Sequence, residues 1–250
     1  MDAARKLIHS LVSIPSLRPL REALAGATGR RRIPVLLRQY CLGHGIEIGA
    51  GPNPYCSPSN TVFLDRSTSN AHGTASADIV ADCAQVPLPD ASFDFVFSSH
   101  CLEHVQNTIL TLNEWLRLLR PGGSLFLILP HADRTLDRHR ARTTLDHHIR
   151  DFETLGDEPD RSHFAEMESG WRQLDDLGEW EALHRKIWKA DFWDWDFRLT
   201  NDNFHFHVWT QDEMIRILHY LGLEILTVEE RVRERGDSFI VIARKPLATA

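Results

Sequence analysis

The chain is short of the features that would mark a secreted, membrane-spanning or fibrous protein. It has four cysteines in 250 residues, at 41, 56, 83 and 101, and no two share a short spacing. A disulfide framework and an all-cysteine zinc site are therefore disfavoured, and a reducing cytoplasm suits these thiols better. No apolar run approaches the roughly 18 residues that span a bilayer. The opening Met-Asp-Ala-Ala, followed by Arg5 and Lys6, has no long apolar core or cleavage pattern, so no secretory signal is read there. Internal repeats and low-complexity tracts are also missing. With 42% hydrophobic and 25% charged residues the composition is that of a folded globular chain.

Basic charge is scarce over most of the length. Residues 1–40 hold eight Lys/Arg against two Asp/Glu, a balance of +6, whereas the rest hold 20 against 33, a balance of -13. Such a body is a poor match for a nucleic-acid backbone, so no nucleic-acid partner is expected. Leu7, Ile8, Leu11 and Val12 recur at helical spacing beside Arg5 and Lys6, which suits an N-terminal helix packed on the domain with its charges in water. The same pattern would serve a peripheral contact with an anionic membrane.

Four segments follow from the patterning. Residues 1–41 read as a basic helical extension broken by Pro15, Pro19 and Pro34. Residues 42–130 carry five short apolar runs: Gly45–Gly49, Thr61–Asp65, Ala77–Asp82, Phe93–Ser98 and Ser124–Leu129. Runs of this kind suit strands of a parallel sheet buried on both faces. Between the last two, Leu110, Leu112, Trp115, Leu116 and Leu119 form a helical stripe stopped by Pro121-Gly-Gly, with Arg120 at its end. Residues 131–209 are polar, hold eight of the 14 histidines, and show no β-α rhythm. In 210–250, Thr210 and Glu213 form a capping box before the stripe Met214, Ile217, Leu218 and Leu221, and Gly222 ends that helix. Leu223–Arg233 and Asp237–Arg244 then read as an antiparallel pair around a turn at Arg235-Gly-Asp. The fold class is α/β, a doubly wound sheet, and ligands of such sheets bind beyond the carboxyl ends of the strands.

The residues at those ends are Glu47, Gly49, Gly51, Asp65, Asp82 and Ser98. Glu47-Ile-Gly-Ala-Gly-Pro-Asn, Asp65 eighteen residues later, Ala81-Asp82-Cys83 before Val86-Pro-Leu-Pro, Phe93-Asp-Phe-Val-Phe-Ser-Ser, His100-Cys-Leu-Glu103-His104 and Leu119-Arg-Pro-Gly-Gly123 come in that order. This ordered set resembles the class I S-adenosylmethionine-dependent methyltransferases over about 42–130 and 210–245. The resemblance implies a Rossmann-like seven-stranded sheet with an antiparallel last strand, and S-adenosyl-L-methionine as cofactor. It implies glycines 49 and 51 as the close-approach loop, Asp65 on the ribose diol, and Asp82 with the Cys83 N–H on the adenine. Glu47 would hold the glycine turn or help place the methionyl ammonium, and Ser98 is counted among the cofactor-binding residues at the strand ends.

A nicotinamide or flavin nucleotide is the rival ligand. Its fingerprint needs a third glycine at position 54 beside a helix N-terminus, and position 54 is proline. Pro52, Pro54 and Pro58 leave no room for a helix of ordinary length between the first two strands. The methyltransferase pattern also places a helix there and often a glycine at the position of Asn53, so this chain departs from it in the loop.

His100-x-x-Glu103-His104 matches the letters of an inverted zinc-protease motif, but it directly follows a strand, where the methyltransferase pattern has a Glu-His pair of its own. Three roles are open to it: helix-start packing, a general base at the acceptor, and a metal site. Related quinone-biosynthesis methyltransferases use a similar pair for a metal. His104 and His131 are the candidate bases. The 131–209 segment lies where many members of the family build an acceptor lid, so Arg138, His205 and His207 are expected to reach the acceptor, a small molecule, sugar or lipid-linked glycan. His147 and His148 are helix neighbours and cannot both face one point. Trp193, Trp195 and Trp209 read as core anchors. The expected activity is methyl transfer to an O or N nucleophile. A non-catalytic binding protein that kept the fold is the alternative from another class.

Overall fold

The computed structural model describes residues 31–70, 73–154, 160–201 and 204–247. The expected amphipathic stretch at Leu7 to Val12 lies outside the described residues, as does most of the 1–41 extension. A seven-stranded sheet forms the centre: β1 Gly45–Ile48, β2 Thr61–Asp65, β3 Ile79–Val80, β4 Phe93–Ser99, β5 Leu119–Pro130, β6 Glu224–Glu229 and β7 Ser238–Arg244. Its order is β3-β2-β1-β4-β5-β7-β6. β1 pairs in parallel with β2 and β4, and β5 pairs in parallel with β4. β7 runs antiparallel to both β5 and β6. The expected doubly wound sheet with an antiparallel last strand is therefore present.

The strands form where their patterns predict, because they are buried on both faces. Ile46, Ile48, Val96, Leu125, Leu127, Leu129 and Val241 face one layer, while Phe63, Phe95, Phe97, Phe126, Ile128, Ile240 and Ile242 face the other. The first layer is covered by α2 (Thr108–Leu118) and α7 (Gln211–Tyr220). The second is covered by α1 (Arg32–Tyr40), which buries Ile33 and Leu36. In α7, Met214, Ile217 and Leu218 are fully buried, each contributing about 1.5–3 kcal/mol of transfer free energy. The Thr210–Glu213 capping box is formed.

Three details differ from the sequence expectation. The third strand shrinks to two residues, because Asp78 turns back to accept the N–H of Phe63 at 2.9 Å. β6 stops at Glu229, and the turn is closed by a bridge between Val232 and Arg235. Arg120 lies in β5 beyond the helix and pairs with Asp94 at 2.6 Å, so an ion pair and not the helix dipole holds it. Residues 51–60 contain turns and no helix, as the prolines require.

The segment after β5 folds into α3 (Leu145–Thr154), α4 (Ser162–Trp171), α5 (Leu177–Trp188) and α6 (Trp195–Thr200). It has a small core of its own, centred on Phe164, Met167, Trp171, Phe192, Phe204 and Phe206, with Trp193 and Trp195 packed at its edge. Trp209 belongs instead to the main core and is fully buried. No described helix is long and apolar enough to cross a membrane. None of the four cysteines forms a disulfide among the described residues.

Candidate active site

The carboxyl ends of β1, β2, β3 and β4 bring the expected cofactor residues to one end of the sheet. Gly49 and Gly51 both adopt positive φ, at 73° and 58°. The reasons for glycine differ. A Cβ on Gly49 would lie 2.7 Å from the Cβ of Cys101, whereas one on Gly51 would meet nothing within 4 Å. Gly51 thus keeps open space above its backbone, as a close-approach loop requires. Asp65, at the tip of β2, accepts the Gly51 N–H at 2.9 Å and the Ser67 N–H at 3.3 Å.

Glu47 is buried beneath the loop. Its carboxylate accepts the N–H of Tyr55 at 2.9 Å and of Cys56 at 2.7 Å. Burial raises its carboxyl above the usual range, although the two amides pull the other way. Glu47 therefore substitutes for the missing helix: it satisfies the loop amides that a helical turn would have satisfied. Asp82 is exposed and accepts the Ala84 N–H at 2.7 Å. The Cys83 carbonyl accepts the Trp115 indole N–H at 2.9 Å, which ties the loop after β3 to α2. Ser98 is a correction. Its buried hydroxyl donates to the Ile48 carbonyl at 3.0 Å, so it ties β4 to β1 and does not line a pocket with its side chain.

The His100–His104 turn is wound tightly. His100 takes a φ of 54°, costly for a residue with a Cβ, and is held by Ser238 Oγ at 2.8 Å and Glu103 Oε1 at 3.2 Å. Glu103 is fully buried. Burial would raise its carboxyl, yet His100, His104 and His205 hold it down at about 2. His104 donates its Nδ1–H to the Phe204 carbonyl at 2.8 Å, leaving Nε2 bare and 3.9 Å from Glu103 Oε1. Burial pushes its imidazole down to about 4, so it is neutral at neutral pH.

His205 stands against His104, ring centroids 5.0 Å apart. Its Nδ1 is 2.6 Å from Asp137 Oδ2. Burial alone would lower the His205 imidazole, but Asp137 outweighs it and raises it. Asp137 is itself buried, and also accepts from Arg140 at 3.0 Å and the Trp171 indole at 3.1 Å. The donor atoms of Glu103, His104 and His205 lie within 4.8 Å of one another. The structure thus replaces the expected trio His100, Glu103 and His104 by one in which His205 takes the place of His100.

Three other expectations are corrected. His131 is buried, and its Nδ1 accepts the Asp133 N–H at 3.2 Å, so it caps a short turn and carries its proton on Nε2 when neutral. Arg138 turns away to Asp176, 2.6 Å away at the start of α5. His207 is fully buried, with both ring nitrogens engaged, Nδ1 at Thr108 Oγ1 and Nε2 at Asp151 Oδ2. It cannot meet an acceptor. Sequence reasoning missed Asp137 and Arg140. Arg140 donates to Asp137 and to the carbonyls of His205 and Phe206. An Asp and an Arg three apart in a polar stretch gave no signal, because His205 and Phe206, which they hold, lie 65 to 68 residues away.

The chain is similar to known proteins over part of its length. A family profile described as Methyltransferase domain matches residues 53–127, from the loop after Gly51 into β5. The chain is 39% identical over 57 residues to ajmaline N-methyltransferase of Rauvolfia serpentina, covering 23% of this chain and 19% of that protein. It is 39% identical over 67 residues to 27-O-demethylrifamycin SV methyltransferase of Amycolatopsis mediterranei, covering 25% of each. The match thus spans no more than about a quarter of these curated relatives. Among solved structures, an S-adenosylmethionine-dependent methyltransferase from Mesorhizobium loti has a TM-score of 0.49 and 18% identity, covering 84% of this chain and 96% of that one. The profile is thus seated on β2 to β5 of a sheet closed by an antiparallel β7, and over that part the chain is similar to S-adenosylmethionine-dependent methyltransferases.

Proposed function

We propose that this protein is an enzyme that transfers a methyl group to a hydroxyl or amine of a small-molecule, sugar or lipid-linked acceptor, with His205 as the base. The observation that carries the base assignment is the Asp137–His205 hydrogen bond of 2.6 Å beside the neutral His104. A buried carboxylate on one ring nitrogen fixes the tautomer and strengthens the other nitrogen as a proton acceptor. The two curated relatives are named as an N-methyltransferase and as a methyltransferase of 27-O-demethylrifamycin SV, and a hydroxyl or a protonated amine must give up a proton on methylation.

The residues present fit the cofactor. Gly51 leaves open space over its backbone, Asp65 stands beside it, and Asp82 is exposed on the next strand end. Asp65 would hold the ribose diol, and Asp82 with the Cys83 N–H the adenine. Bound S-adenosylmethionine supplies an electrophilic methyl on a sulfonium, which leaves as a neutral thioether. With that methyl supplied, His205 would take the proton of the acceptor hydroxyl or amine while Asp137 holds its ring in place. The protein's main contribution is alignment of the two reactants. Residues 131–209 serve as the acceptor side, since they supply Asp137 and His205, while 42–130 and 210–250 build the cofactor domain.

The test is calorimetry with S-adenosylhomocysteine, followed by labelled methyl transfer to a cell extract. Binding with labelled product supports the reading. No binding up to millimolar ligand overturns it, and binding without any labelled acceptor favours the non-catalytic alternative.

A further inference from the structure

A second group of histidines lies in the inserted segment. His147 and Asp151 are four apart on α3 and share one of its faces. His163 comes from the first turn of α4, and His207 from the extended approach to α7. All three converge on a single carboxylate oxygen. Asp151 Oδ2 is 2.9 Å from His207 Nε2, 3.3 Å from His147 Nε2 and 3.9 Å from His163 Nε2. The ring centroids of the three histidines are 4.8 to 5.7 Å apart. One donor atom from each of the four residues lies within 4.8 Å of the others.

We propose that His147, Asp151, His163 and His207 form a structural site for one divalent transition-metal ion of the zinc class, which staples the insertion to the core. Three imidazoles and a carboxylate are borderline donors that suit zinc, and four protein ligands close the coordination sphere as in structural sites. Bonds of about 2.0–2.1 Å in a tetrahedron place donor atoms about 3.3 Å apart, a value bracketed by the 2.9 to 3.9 Å from Asp151 Oδ2 to the three imidazoles.

Two further observations point to an ion. His163 is wholly buried, yet neither of its ring nitrogens has a hydrogen-bond partner. Buried polar atoms are rarely left so, and an ion would satisfy one of them. His207, in contrast, has its outer nitrogen already fixed: Nδ1 lies 3.2 Å from Thr108 Oγ1, at the start of α2. With an ion in place of the Nε2 proton, Nδ1–H would donate to that hydroxyl and the Nε2 lone pair would face the ion, which is how ligating histidines are usually oriented. His148, on α3, is also buried with both ring nitrogens unpartnered. It packs against His207 and Trp209 and offers no donor atom to the group.

The staple would join α3, α4 and the segment before α7, and through Thr108 it reaches α2. That segment also carries the Phe204 carbonyl that orients His104, and His205 itself. The metal would therefore hold the acceptor side in place without touching reactants. This inference stands independently of methyl transfer.

The experiment is elemental analysis of the untagged full chain after extensive desalting, then chelator treatment with reloading by Zn(II) or Co(II). About one metal per chain, a fall in Tm on chelation that zinc reverses, and the visible bands of tetrahedral Co(II) are expected. In His163→Gln and His147→Gln the metal affinity should fall at least about tenfold, while His219→Gln on the exposed face of α7 should leave it unchanged. No metal in the purified chain together with no uptake of either ion overturns the proposal, and needs no variant. Metal kept by His163→Gln and His147→Gln but lost in His104→Gln overturns it too, because the ion would then sit at Glu103.

Discussion

The Asp65 carboxylate accepts the backbone N–H of Gly51 across 2.9 Å, from the tip of one strand to the loop that follows its neighbour. One side chain therefore shapes the glycine loop and presents the acid expected to meet the ribose. Asp65→Ala removes both functions. S-adenosylhomocysteine affinity should fall at least tenfold, about 1.4 kcal/mol, in titration calorimetry. Unchanged affinity in the folded variant would remove Asp65 from the cofactor site.

His205 must be neutral to accept a proton, and Asp137 raises its imidazole above the ordinary value of about 6.5. Activity should therefore decline as the pH falls, with a midpoint above that value. His205→Gln should lower kcat by about 10²–10⁴-fold, the usual contribution of a positioned base, and abolish that limb of the profile. Cofactor affinity should stay within about threefold, or roughly 0.7 kcal/mol. A variant with full turnover and the same acid limb would exclude His205 as the base.

Asp137 gathers His205, Arg140 and Trp171 around a buried carboxylate. Burial alone would raise that carboxyl, but the His205 and Arg140 charges hold it well below the usual range. A depressed carboxyl stabilises the fold above its unfolded value, and that stability is lost as the pH falls through the folded value. Asp137→Ala leaves Arg140 buried without its charge partner, so unfolding in urea near neutral pH should show a loss of about 3–5 kcal/mol. A loss under about 1 kcal/mol, the range of exposed pairs, would contradict the buried network.

Ser98 and Arg138 should separate structural from binding roles. Ser98→Ala loses the bond to the Ile48 carbonyl and should cost about 1 kcal/mol of stability, with S-adenosylhomocysteine affinity unchanged. Arg138→Ala breaks a half-exposed pair with Asp176 and should cost at most about 1 kcal/mol, with turnover intact. Weaker cofactor binding in the first, or lost turnover in the second, would restore the pocket roles that the sequence suggested.

The sequence by itself determined the sheet, the two covering helices α2 and α7, and the glycine and acid positions at the strand ends. These rest on local signals: apolar runs, a 3.6-residue stripe, a capping box, and prolines that exclude a helix after Gly51. Such signals are read within a few residues, and the fold respects them. Tertiary structure alone decided the polar side chains of the insertion. His205 and His207 are two apart in sequence, yet one meets Asp137 near the site and the other meets Asp151 in the interior. Arg138 and Arg140 divide in the same way, one toward Asp176 and one into the Asp137 network. Polar residues carry no periodic pattern that fixes a partner. Their roles follow from where burial forces each group to find a hydrogen bond, and those partners can be distant, as with His207 and Thr108, 99 residues apart.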